Sequence, residues 1–191
     1  TVGAQLVNAQ PITDGLNAAQ ILSGALKAVL LLHTEPAFDS AAGARAQTAL
    51  AQAEMVVTLS PFKANMDISD VLLPIAPFTE TAGSFVNAEG RLQSFHGVVK
   101  PLGDTRPGWK VLRVLANWLG LPGFDFESVE AVRAAALPTD HGARLSNQTH
   151  AAVDVQPVTQ MPCSASIYQL DGIVRRAPSL QRTADARVNA S

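Results

Sequence analysis

The stretch Asp70–Gln93, DVLLPIAPFTETAGSFVNAEGRLQ, joins a short apolar run to a segment built around a turn. In NAEG, the side chain of Asn87 can cap the turn, Ala88 and Glu89 take the two central right-handed positions, and Gly90 stands where φ must be positive. That pattern predicts a type I turn with a G1 bulge, hence an antiparallel hairpin. Its register places Asn87 opposite Arg91, Val86 opposite Leu92 and Phe85 opposite Gln93, giving one face an apolar pair and leaving the other mixed. Glu80 and Glu89 could together serve as general acid and base. Turn chemistry accounts for the same residues, because a carboxylate at a hairpin tip stays solvated and ionised.

Upstream, the runs AVLLLH (Ala28–His33), MVVTLS (Met55–Ser60) and DVLLPI (Asp70–Ile75) are short and apolar, as in parallel strands covered on both faces. A helix is expected over Asn17–Leu26 from the stripe of Ile21, Leu22, Ala25 and Leu26. A second is expected over Ala41–Glu54, with Asp39 or Ser40 accepting from its first amides. Strand, helix, strand, connector, strand is the order of a βαβ unit in a parallel sheet. Downstream, Arg106–Leu119 reads as a helix with Pro107 in its first turn and Trp109, Leu112, Leu115, Ala116 and Leu119 along one stripe, stopped by Gly120. Glu127–Ala136 reads as a shorter one. From Pro138 the text is polar, proline-punctuated and without period. The expected fold class is therefore α/β: a Rossmann-like parallel sheet with flanking helices over residues 1–137, a β-hairpin, and an irregular connector and C-terminal docking tail over 138–191.

With 191 residues, 47% hydrophobic and 16% charged, the chain is long enough for a sizeable core. A formal charge of -2 gives no positive field for phosphate backbones or anionic lipid, so nucleic acid and membrane surfaces are poor partners. The single cysteine, Cys163, excludes an internal disulfide and cannot alone hold an iron–sulfur cluster or a thiolate zinc site. The longest apolar run, Ala28–Leu32, falls far short of the roughly 20 residues that cross a bilayer. Opening at Thr1 rather than methionine fits a piece of a longer protein.

From Asp70 onward the text resembles the signature of the molybdopterin oxidoreductase superfamily, in which an ADVVLP strand precedes a glutamate, then GT and N-x-EGR-x-Q. Asp70, Leu73, Pro74, Glu80, Gly83, Asn87, Glu89, Gly90, Arg91 and Gln93 fill that pattern, with Ser69 for the usual alanine and Ser84 for threonine. DTRPGWKVLRVLA (Asp104–Ala116) looks like the family's next element. Within the superfamily, SIYQLDGIVRRAPSLQRTADA (Ser166–Ala186) is similar to the end of the large iron–sulfur subunit of bacterial NADH:quinone oxidoreductase, complex I. The resemblance implies a structural segment with no catalytic, cofactor-binding or metal-binding residue of its own. Iron–sulfur clusters would lie in the N-terminal part of the parent subunit. Its partners would be that part and the other peripheral-arm subunits, at the cytoplasmic face of the bacterial inner membrane. A fragment of a molybdenum enzyme such as a formate dehydrogenase is the first alternative, and a free-standing small-molecule-binding α/β protein the second.

Other positions carry paired readings. His33 and Glu35 follow the first strand at the carboxyl edge where open α/β sheets bind ligands, and could line a vestigial pocket. A capped strand end explains them as well. Asp67 and Asp70 flank Ser69 but fall short of the ligand number a hard cation needs. In the tail, Arg175, Arg176 and Arg182 form a positive patch interleaved with Ile173, Val174 and Leu180. With Tyr168 they make a candidate interface for an acidic groove of a neighbouring subunit.

Overall fold

The computed structural model describes residues 2–23, 26–137, 139–145 and 166–188. In chain order these form α1 (Val2–Leu6), α2 (Ala18–Ile21), β1 (Ala28–Leu32), α3 (Pro36–Asp39), α4 (Ala44–Leu50), β2 (Met55–Ser60), β3 (Val71–Pro74), β4 (Gly83–Val86), β5 (Leu92–Phe95), α5 (Gly108–Trp118), α6 (Val129–Ala136), α7 (Gly172–Arg175), α8 (Pro178–Gln181) and α9 (Ala184–Val188). The fold is mixed α/β, with a parallel sheet in the order β1-β2-β3 and a separate antiparallel pair β4-β5. None of the described helices is long and apolar enough to cross a membrane.

The chain divides into two compact units. One draws its described residues from Thr1–Asn17, Leu59–Lys63 and Leu72–Ala152, the other from Ala18–Thr58, Ala64–Val71 and Val153–Ser191. The second unit is centred on Leu31, Leu50 and Val56, against which Leu22, Val29, Ala53 and Ile68 pack. Removing such branched side chains from water is the main favourable term here, about 1.5–3 kcal/mol for each one fully buried. Its buried hydroxyls are paired: Thr58 Oγ1 meets Ser69 Oγ at 2.7 Å, and Ser69 Oγ donates to Asn65 O. In the first unit Leu6, Leu59, Ile75 and Ala76 are fully buried. There the sheet's hydrogen bonding continues past β3, with Ile75 N donating to Ser60 O and Ala76 N to Arg106 O.

β2 covers the residues expected of it, and β3 falls one residue inside the expected run at each end. Asp70 still pairs in both directions with Val56: its amide donates to Val56 O, and its carboxylate accepts from Val56 N at 2.7 Å. β1 stops at Leu32 rather than His33, because His33 adopts φ 52, a left-handed conformation that ends an extended ladder.

Two helix expectations need correction. The Asn17–Leu26 helix is reduced to α2, with Gly24 and Ala25 outside the described residues. The Ala41–Glu54 helix is instead α3 and α4, and neither Asp39 nor Ser40 caps α4. Its N-cap is Gly43 at φ 57, ψ -139, without a side-chain bond. Pro36, with its pyrrolidine-set φ, starts helical structure earlier than the alanine run does. Ser40 Oγ then donates back to Pro36 O, while the Asp39 carboxylate accepts from the amide of Glu35.

The α5 helix ends as its sequence implies. Gly120 at φ 69 lets its own amide reach Asn117 O and the Leu121 amide reach Ala116 O, the two bonds of a Schellman stop. Of the expected stripe, Ala116 is buried, whereas Leu119, already past the helix end, is 66% exposed. Ser128 caps α6 by accepting from the Ala131 amide.

The hairpin has the register read from its turn, including Phe85 opposite Gln93 and Val86 opposite Leu92. The Asn87 amide bonds Arg91 O, and Gly90 has φ 83. The face read as mixed is organised by a diagonal contact: Phe85 stacks on Phe95 with ring centroids 4.9 Å apart. Gly83 makes room for it, since a Cβ there would lie 2.7 Å from Phe95 Cζ. At the turn, Asn87 Oδ1 accepts from the amides of Glu89 and Arg91 at 3.0 and 2.9 Å. Asn87→Ala is expected to cost about 1–2 kcal/mol through those two amides, and Asn87→Asp, which keeps the acceptor, much less. The urea midpoints of the two variants give the comparison.

Candidate functional site

The carboxyl end of β1 is where a doubly wound sheet offers its ligand edge, and here it carries an ion-pair cluster within the second unit. His33 turns the chain, and Asn65, itself at φ 56, donates its side-chain amide to Thr34 O at 3.0 Å, which holds the turn. Pro36 then begins α3, so Glu35, Phe38 and Asp39 sit within one helical turn. Burial of part of His33 lowers its pKa, so the imidazole is neutral at pH 7, although the residue as a whole is exposed.

The C-terminal tail closes on this turn. Arg175 contacts Asp39 Oδ1 at 3.1 Å and Glu35 Oε1 at 3.3 Å, and its guanidinium carbon lies 4.7 Å from the centroid of the Phe38 ring. Its side chain is only 7% exposed. Arg176 meets Glu35 with both terminal nitrogens, at 2.8 and 3.1 Å, the fork geometry that suits a carboxylate. Two guanidinium groups face two carboxylates, so the cluster is balanced in charge.

Local chemistry shapes the tail for this contact. Ser166 caps the 3-10 turn Ile167–Gln169, and the Asp171 carboxylate accepts from the amides of Ile173 and Val174, starting α7. Pro178 starts α8. Gln181 ties the pieces together, donating to Tyr168 O and Val174 O at 3.0 and 2.8 Å. The last turn of α7 thereby presents Arg175 and Arg176.

The other motif positions serve backbone geometry. Glu80 accepts from the Leu102 amide at 2.9 Å, while Glu89 stands exposed at the hairpin tip. The two acids thus serve separate turns. Pro74 ends β3, and Arg91 and Gln93 are exposed beside the hairpin turn. Asp70 is occupied by Val56, and among the described residues no group of three or more His, Cys, Asp or Glu could hold a metal ion. Cys163 and His150 lie outside the described residues. In the tail, Tyr168 contributes its carbonyl to Gln181, Leu180 is 41% exposed and Arg182 is exposed.

Sequence reasoning missed Phe38 and the ion-pairing role of Asp39, whose partner Arg175 lies 136 positions further on. It also missed a cleft of about 610 Å³ in the first unit, lined by Arg106, Lys110, Val111, Arg113, Val114 and Glu127. A partial signal existed: Lys110 and Arg113 stand three apart, the spacing of one helix face, shortly after Arg106.

Comparison with known proteins places these elements. Residues 1–118 match the family described as molybdopterin oxidoreductase. Proteins named "Putative formate dehydrogenase" from Staphylococcus aureus strains USA300, NCTC 8325 and Mu50 are each 44% identical over 52 residues, 27% of this chain. That stretch is only 5% of the length of each relative. The family match takes in more than half of the chain, including the whole parallel sheet and the bulged hairpin, and this chain therefore belongs to the molybdopterin oxidoreductase family.

Proposed function

We propose that this chain is a structural segment of the large iron–sulfur subunit of a respiratory NADH:quinone oxidoreductase, supporting electron transfer from NADH to quinone without a redox centre of its own. The observation that carries this reading is the clamp of Arg175 and Arg176 on Glu35 and Asp39. A sheet edge that would be open in a ligand-binding domain is here covered by the chain's own tail, the same Ser166–Ala186 text that resembles the end of the complex I subunit.

The clamp also bears on the family's cofactor. A pterin dinucleotide carries a diphosphate and needs cationic or amide donors around it. At the carboxyl end of β1 both arginines are already matched by carboxylates. That residue set does not fit the dinucleotide. In this reading residues 1–137 form the family-type domain and 138–191 the connector and docking tail. The partners are the N-terminal part of the same subunit and other peripheral-arm subunits, at the cytoplasmic face of the bacterial inner membrane. The iron–sulfur clusters belong to the parent subunit.

The names of the relatives favour a second reading, a segment of a molybdenum-dependent formate dehydrogenase. Metal analysis of the purified full-length parent protein separates the two. Iron without stoichiometric molybdenum is expected; molybdenum equimolar with the polypeptide, together with formate oxidation, overturns the scaffold reading.

A further inference from the structure

Within the first unit, Arg106 just before α5 and Lys110 and Arg113, three positions apart on it, bring three cations to one side. That side borders the cleft of about 610 Å³, within the roughly 300–1,000 Å³ range of small-molecule sites. Val111 and Val114 line it as well, and Glu127 is the carboxylate among its lining residues. Arg113 is held in place by donating to Phe126 O. Its Nε is buried and, among the described residues, has no hydrogen-bond partner. Leaving a buried charged donor unpaired is costly. Lys110 lies over the Trp109 ring, its Nζ 5.4 Å from the centroid.

We propose that this cleft is a binding site for a small organic anion, whose carboxylate or phosphoryl head meets Arg106, Lys110 and Arg113 while its apolar body rests on Val111 and Val114. The charge set favours an anion over a neutral molecule, with three cations against one carboxylate. The apolar lining favours an organic anion over bare phosphate. Glu127 opposes the head and sets its affinity: the site is tuned weak by its own carboxylate. The inference is independent of the scaffold reading, because it concerns a different unit and a surface that the tail clamp does not use.

Calorimetric titration of the 191-residue chain at low ionic strength with benzoate, phenyl phosphate and neutral benzamide tests it. Saturable binding of benzoate or phenyl phosphate is expected, with benzamide silent, and the relative affinity of the two anions identifies the preferred head group. Lys110→Gln and Arg113→Gln should each weaken binding about tenfold or more by removing a charge-assisted hydrogen bond. Glu127→Gln should tighten it. In a Trp118→Phe background, Trp109 fluorescence should change on binding, because the anion draws Lys110 from the ring. Lys110 is exposed, so its variant tests the site even if loss of Arg113 disturbs the Phe126 loop. Equal binding of benzamide, no binding of either anion, or unchanged affinity in Lys110→Gln would overturn the proposal.

Discussion

Replacing Arg175 with alanine is expected to lower the unfolding free energy by about 3 kcal/mol, toward the lower end of what breaking a buried ion pair costs, and to expose the tail to protease. The size follows from what remains behind. Arg176 still holds Glu35 through its fork, but Asp39 loses its guanidinium partner, and Phe38 loses the planar cation above its ring. Arg175→Lys keeps the charge without the planar fork or the stacking and should fall between alanine and the parent. Adding Asp39→Ala to Arg175→Ala should recover part of the loss, since the orphaned carboxylate is then gone; a double-mutant cycle gives the coupling directly. Denaturant midpoints, with trypsin cleavage at Arg182 and Arg187 as a second readout, provide the measurement. An unchanged midpoint and an uncut tail in Arg175→Ala would show that the clamp does not hold the tail.

Gly90→Ala should be the most damaging small substitution in the hairpin, for two separable reasons. At φ 83 any Cβ meets the neighbouring carbonyl, a strain of about 1–2 kcal/mol. The new methyl would also overlap Leu145 Cδ1, adding about 1–3 kcal/mol unless that side chain moves aside. The total expected is about 2–5 kcal/mol. Repeating the change in a Leu145→Ala background should remove the steric share and leave the backbone share. Urea midpoints measure the total, and cross-strand nuclear Overhauser contacts between Val86 and Leu92 report whether the register survives. A Gly90→Ala chain as stable as its parent would refute the G1 bulge.

The parts of the fold that were legible in the sequence are those whose determinants sit close together. Asn87 and Gly90 specify their turn within four residues, and the turn specifies the register of β4 and β5. MVVTLS forms a strand because its apolar run has no competing signal. The Ala41–Glu54 helix misled because Pro36 and Gly43, two backbone effects, outweighed a favourable alanine composition. The candidate site was half legible. His33 and Glu35 were recognisable from their place after a strand, and Arg175 and Arg176 from their sign, yet no local pattern states that the two pairs meet. Arg113 was hidden for a related reason, because its carbonyl partner at Phe126 belongs to a loop with no period.

The separation between Asp39 and Arg175 also matters during synthesis. At roughly 5–20 residues per second, the 136 positions between them take on the order of ten seconds to translate. Throughout that interval β1 and α3 exist with Glu35, Phe38 and Asp39 uncovered by the tail. The nascent second unit thus passes through a stage in which an acidic, aromatic-edged surface faces solvent and any basic segment nearby can compete for it. Only when Arg175 and Arg176 leave the ribosome tunnel can the chain supply its own arginines and end that competition.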